Sequence, residues 1–157
     1  MHIRLCCIGK TDNTLLEALT DMYTKRLPHY TKFSLVVLPD IKNRKTLSVE
    51  QQKEKEAQLF HKTIPQKEPV ILFDEKGKSF DSEGFAHYLS KKQVGGIRTI
   101  WFLIGGPYGF SPEMYQRAQE KIALSKMTFS HQMVRLFVVE QFYRAFSILN
   151  NEPYHHR

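Results

Sequence analysis

The sequence predicts a single α/β domain over residues 1–157, built as a mostly parallel sheet flanked by helices. Three observations carry this. Short apolar runs alternate with amphipathic stretches along the chain, which implies crossover connections. The strongest runs, VILF at 70–73 and RTIWFLI at 98–104, are continuously apolar, the pattern of strands covered on both faces. The length suits one core, and the chain has no internal repeat, low-complexity tract or linker.

Taken in order, residues 2–8 (HIRLCCI) read as a first strand and residues 15–27 as a helix. Cys6 and Cys7 are the two cysteines. Neighbours on a strand point to opposite faces, which argues against a disulfide between them, so they read as small core side chains. A structural zinc site wants about four ligands in paired spacing, and none is present. Residues 33–38 (FSLVVL) form a second strand, followed by a polar, basic loop over 39–46. Ser48 caps a helix that carries Glu50, Glu54 and Lys55 and buries Ala57, Leu59 and Phe60. The 70–73 strand ends in a turn at 74–77. Asp81 or Ser82 starts a helix through Tyr88 and Leu89, and the strand at 98–104 runs straight into Gly105.

Composition bounds the function. Hydrophobic residues make up 41% and charged residues 25%, ordinary for a globular chain. No apolar stretch reaches the roughly 18 residues of a membrane span, and MHIRLCCIGK is too short and mixed for a signal peptide. A soluble, cytoplasmic protein is expected. The net charge of +7 suits a polyanionic partner, although the basic residues are spread without a dense arm and also fit a merely solvated surface.

Four segments carry candidate chemistry. In parallel sheets ligands sit beyond the carboxyl ends of the strands, which directs attention to residues 73–77 and 104–110. The first segment, Ile104-Gly105-Gly106-Pro107-Tyr108-Gly109-Phe110-Ser111-Pro112, reads as a strand end, a glycine-rich turn and a helix start, with Ser111 as cap and Pro112 as first helical residue. It has neither the phosphate-loop nor the dinucleotide spacing. On glycine content it is equally a ligand loop or a tight connection. The second, residues 123–131 (ALSKMTFSH), is a loop before a long helix that Thr128 or Ser130 caps; its backbone groups suit an adenine edge.

The third is the last helix, about residues 130–150, apolar nearly all round. Such a helix must be buried on more than one side, which predicts a homodimer packed through it; a central core helix within one subunit is the other reading. A buried Arg135 or Arg144 needs an anionic partner, and Glu140 lies four residues before Arg144. His131 falls at the helix start. The fourth is the tail NEPYHHR: either a frayed end, or an aromatic with His-His-Arg that stacks on a base and meets phosphate.

Read together, LIGGPYGFSP, LSKMTFSHQMVR, VEQFYRAFSI and NEPYHHR resemble, in order and spacing, the ribosomal RNA large subunit methyltransferase H family of the SPOUT superfamily. The likeness spans the whole chain, including Ile8-Gly9-Lys10, and is most specific in the last 60 or so residues. It implies a deep trefoil knot, which no sequence physics would propose. It implies a homodimer that binds S-adenosylmethionine in the knot and methylates N3 of pseudouridine 1915 in helix 69 of 23S rRNA, on the assembled 70S ribosome. Carried onto this sequence, the cofactor contacts are Phe73, Gly105, Gly106, Ser125, Lys126, Met127, Thr128, Phe129 and Ser130. Phe73 stands where leucine is common and Ser130 where proline is common; contacts made through the backbone tolerate both. The proton on N3 must leave, which makes Arg144, Tyr154, His155 and His131 the candidate catalytic groups. Arg144, Tyr154 and His155 are favoured as the substrate-facing cluster, with the tail reaching the other subunit's cofactor. No metal is expected. The alternative is a non-enzymatic ribosome-binding or assembly factor, which shares the charge and the tail but needs no ligand at the glycine loop.

Overall fold

The computed structural model describes residues 1–156. Five strands form one parallel sheet in the order β2-β1-β4-β3-β5. They are β1 (His2–Ile8), β2 (Lys32–Leu38), β3 (Val70–Ser79), β4 (Thr99–Ile104) and β5 (Glu120–Ala123). The helices are α1 (Thr14–Arg26), α2 (Val49–Thr63), α3 (Ser82–Val94), α4 (Pro112–Arg117) and α5 (His131–Leu149).

Strand alternation divides the core. Ile3, Leu5 and Cys7 join Phe102 and Ile104 in the layer under α1, α3 and α5. Cys6 and Ile8 join Trp101 and Leu103 in the layer under α2 and α4. The vicinal cysteines therefore face opposite layers, both free and fully buried, as their adjacency on a strand requires.

Two local expectations are corrected. The third strand does not end in a turn at 74–77. It continues to Ser79, and its register against β5 shifts between Phe73 and Lys78. Gly77 makes this possible: a Cβ there would stand 2.5 Å from the Ile122 backbone nitrogen. The sequence reading also has no strand at 120–123. EKIA is short and half charged, and only Ile122 and Ala123 are buried. Its pairing with β3 creates it, not its own pattern.

The helix starts follow side-chain caps. Asn13 caps α1 and Ser48 closes a capping box with Gln51. Of the paired candidates, Asp81 caps α3 and Ser130 caps α5. Ser111 caps α4 with Pro112 in its first turn.

The apolar character of α5 is largely explained within one subunit. Val138, Val139, Phe142, Ala145 and Phe146 are buried against the sheet, with the Phe142 and Phe102 rings 4.9 Å apart. The helix also packs against α1 and α3. Met133, Leu136 and Phe137 lie on the half-buried remainder.

Candidate active site

A cavity of about 650 Å³ opens beyond the carboxyl ends of β3, β4 and β5, where Phe73, Ile104 and Ile122 form its floor. Residues 104–110 on one side, and 124–125 with 127–131 on the other, wall it. The glycine loop is closed on itself. Gly109, at φ 75°, donates its N–H to the Gly106 carbonyl at 3.1 Å. A Cβ on Gly105 would meet the Gly109 carbonyl oxygen at 3.2 Å and Phe110 Cζ at 3.3 Å. The tight turn and the cavity wall are thus one feature.

The facing loop is held by its own hydroxyls. Ser125 Oγ accepts from the Met127 N–H at 2.9 Å, and Thr128 Oγ1 donates to Glu75 at 3.3 Å. Phe129 packs on Phe137 with ring centroids 5.1 Å apart. Met127 is 74% exposed, so an apolar side chain stands at the rim with nothing to cover it in the isolated subunit.

The fold gathers Phe73, Gly105, Gly106, Ser125, Met127, Thr128, Phe129 and Ser130 around the cavity; Lys126, from the same set, is not on its wall. Sequence reasoning missed Lys53 and Tyr115, which do line it, and reached Asp74 only as part of the 73–77 segment. Tyr115 donates to Asp74 at 2.5 Å, and burial, together with that carboxylate, pushes the phenol up to about 12. A signal for Asp74 existed in its position just after the buried VILF run. None existed for Lys53 and Tyr115, which arrive from separate helices.

His131 is also on the wall. Burial, and then Arg135 and Arg44, lower its pKa from 6.5, so the imidazole is neutral at neutral pH. Arg135, expected to need an anionic partner, has none among the described residues. It is 2% exposed and donates to the Ile8 carbonyl at 2.6 Å, the Gly9 carbonyl at 2.7 Å and Thr11 Oγ1 at 3.3 Å. Carbonyl dipoles at the end of β1 take the place of a carboxylate.

Arg144, Tyr154 and His155 form a cluster of their own. Arg144 Nε donates to Glu140 at 3.0 Å, and Arg144 Nη1 lies 3.3 Å from His155 Nδ1. The Arg144 guanidinium stands 4.7 Å over the Tyr154 ring, whose hydroxyl donates to Glu140 at 3.0 Å. The question left open at Arg144 is answered for this state: Glu140 is its partner. The tail is not frayed, since Tyr30 donates to Glu152 at 2.5 Å and Tyr23 and Tyr154 hydroxyls sit 3.0 Å apart. Arg157 of the tail lies outside the described residues. None of the cluster lines the cavity of its own chain. Thirteen helical positions separate His131 from Arg144, roughly 20 Å along α5.

A family model described as "Predicted SPOUT methyltransferase" matches residues 1–155. Curated relatives named ribosomal RNA large subunit methyltransferase H align over full length. Those from Flavobacterium johnsoniae and Christiangramia forsetii are 57% and 56% identical over 100% of both chains, and that of Parabacteroides distasonis is 53% identical over 99% of each. The chain belongs to this SPOUT methyltransferase family. Solved structures agree on the fold alone. A probable methyltransferase from Bordetella pertussis superposes with TM-score 0.53 at 7% identity, covering 92% of this chain and 96% of that one. A probable methylase family protein from Haemophilus influenzae gives 0.51 at 15%, covering 99% of this chain and 70% of that one. Among the described residues no helix is long and apolar enough to cross a membrane, and no group of three or more His, Cys, Asp or Glu stands ready to hold a metal.

Proposed function

We propose that this family member is a cytoplasmic homodimeric enzyme that transfers a methyl group from S-adenosylmethionine to N3 of pseudouridine 1915, in helix 69 of 23S rRNA on the assembled 70S ribosome. The observation that carries the reading is the cavity between the two facing loops at the carboxyl end of the sheet. The trefoil knot belongs to the same proposal. It is supported by the chain's path, in which β3 lies between β4 and β5, so the segment after the glycine loop crosses β3 before α5 returns.

The cavity fits the methyl donor. Its volume falls within the roughly 300–1,000 Å³ of small-ligand sites. Ile104, Ile122, Leu124 and Val134 offer an apolar bed for an aromatic base. Asp74, Glu75, Lys53 and Lys76 bring both signs of charge to the rim, as a zwitterion with a cationic centre requires. Phe73, Gly105, Gly106 and the residues Ser125, Met127, Thr128, Phe129 and Ser130 would hold it, with Lys126 at the outer edge of the same loop. Bound there, the donor supplies an electrophilic methyl carbon, and the protein's main task is alignment of the acceptor nitrogen.

The acceptor proton is the chain's own problem. Neutral His131 beside the cavity is able to take a proton. Arg144, Tyr154 and His155 present a cation, an aromatic face and an imidazole suited to an RNA base and its developing negative charge. About 15 Å of α5 separates Arg144 from Val134, the last helical residue on its own cavity's wall, which favours the cluster's serving a partner subunit's cavity. The half-buried Met133, Leu136 and Phe137 of α5 are the surface through which that partner would pack. A dimer would also double the surface that carries the net charge of +7 toward RNA.

The decisive experiment is mass spectrometry of 23S rRNA from a deletion strain, before and after treatment of its 70S ribosomes with purified protein and S-adenosylmethionine. The methyl group should be missing and then restored. A strain whose rRNA keeps the group, or a protein that binds ribosomes without binding the donor, would favour the assembly-factor reading. Light scattering at micromolar concentration should give twice the subunit mass.

A further inference from the structure

Glu56 is a charge where the sequence pattern calls for a core residue. It lies on the face of α2 that buries Ala57 and Phe60, and it is 4% exposed. A carboxylate so placed is costly unless its oxygens are satisfied. Gln52, one turn earlier and also buried, donates to Glu56 Oε1 at 3.0 Å. The Gly106 backbone N–H also favours the charged carboxylate. The contact is close: a Cβ on Gly106 would lie 2.7 Å from Glu56 Oε2 and 2.8 Å from Cδ.

Gly106 is therefore clamped from two directions. Glu56 packs against its α-carbon from behind, and its carbonyl accepts from Gly109 at 3.1 Å. The residue stands between two cavities. In front is the donor cavity. Behind is a polar cleft of about 290 Å³, lined by Glu56 with Lys10, Asp40, Arg44, His131 and Gln132. Gly106, Pro107 and His131 belong to both walls. A shift of Gly106 into the rear cleft would widen the front cavity, and Glu56 occupies the space into which it would move.

We propose that Glu56 is a positioning residue for methyl-donor binding: it touches no substrate, but it holds Gly106 in the position that shapes the donor cavity. This rests on the assignment of the front cavity to S-adenosylmethionine. It also gives Gly106 a second reason to be glycine. The side chain that residue 106 lacks would collide with Glu56 behind the loop, whatever the ligand needs in front. Burial raises the Glu56 pKa and Asp40 adds to this, while Gln52, Gly106 and Arg44 oppose it. The clamp needs an oxygen acceptor at this position, not a negative charge, so glutamine should serve.

Two readouts separate this proposal from the reading beneath it. The first needs no ligand: hydrogen exchange of the Gly106 amide by NMR in the free protein. Glu56→Ala should speed exchange roughly tenfold to a hundredfold, through loss of the oxygen acceptor behind the loop, and Glu56→Gln should stay near wild type. The second is calorimetry with S-adenosylhomocysteine. Glu56→Ala should bind about tenfold or more weakly, and Glu56→Gln within about threefold of wild type. Gly106→Ala should weaken binding sharply in the wild-type background and much less in Glu56→Ala, because the collision is gone. Unchanged exchange and affinity in Glu56→Ala would overturn the proposal, as would a glutamine variant as poor as alanine or additive effects of the two substitutions. If wild-type protein failed to bind the donor product at all, the functional reading would fall, while the exchange data would still judge the clamp.

Discussion

The guanidinium of Arg135, the first buried residue of α5, donates to the Ile8 carbonyl at the end of β1 at 2.6 Å. With its bond to the Gly9 carbonyl at 2.7 Å, it ties the last helix to the first strand. Ile8 is the last residue of β1 and Gly9 opens the loop that follows it. Replacing Arg135 by methionine keeps the bulk but leaves the two carbonyls without their donor. A loss of about 3 kcal/mol is expected, the cost of orphaning buried polar groups. Urea unfolding of the variant against wild type measures it, and a loss within about 0.5 kcal/mol would refute the tie.

Removal of residues 153–157 takes away Tyr154 and His155 but no residue of the cavity wall. The truncated protein should bind S-adenosylhomocysteine within about threefold of wild type and lose methylation of 70S ribosomes. The split between the two assays is the point of the test. Activity equal to wild type would remove the tail from the mechanism, and loss of donor binding would place it at the cavity instead.

His131 predicts a pH dependence of stability. Burial, Arg135 and Arg44 disfavour its charged form in the fold, so the folded pKa lies below 6.5. Its stabilising contribution is whole above that ordinary value. It is lost as pH falls through the depressed folded value, because the unfolded chain then binds the extra proton. Wild type should lose more stability than His131→Gln between about pH 7.5 and about pH 5. His2 is depressed by burial too and supplies the same slope in both proteins. Parallel curves for the two proteins would contradict the burial of His131.

Cys6 and Cys7 should be chemically silent. Both are fully buried, and burial pushes Cys6 up to about 12, so almost no thiolate is present near neutral pH. A thiol reagent at about pH 8 should titrate neither in the native protein and both in denaturant. Rapid labelling without denaturant would show that the first strand opens.

The cavity end of the sheet was partly written in adjacent residues. Gly105, Gly106 and Gly109 follow the most apolar strand directly, and residues 124–130 directly precede the capped start of α5. Each segment carries its own signal because its contacts are local: a turn closing on itself, and hydroxyls bonding amides two or three residues on. The strand at 120–123 carried none, since its four residues are defined by pairing with β3 across some fifty positions of chain.

The sequence by itself determined an α/β domain with a glycine-rich loop after its fourth strand, and its motifs named the family. Those are properties of local periodicity, capping and residue order. Tertiary structure alone decided the partners of the isolated charges. Arg135 is satisfied by carbonyls at the end of β1, Glu56 reaches forward to Gly106, and Tyr115 meets Asp74 at the mouth of the cavity. A buried polar group must find a partner, but the sequence does not say which of many distant groups it will be. That is settled only when the sheet order brings the ends of β1, β3 and β4 side by side.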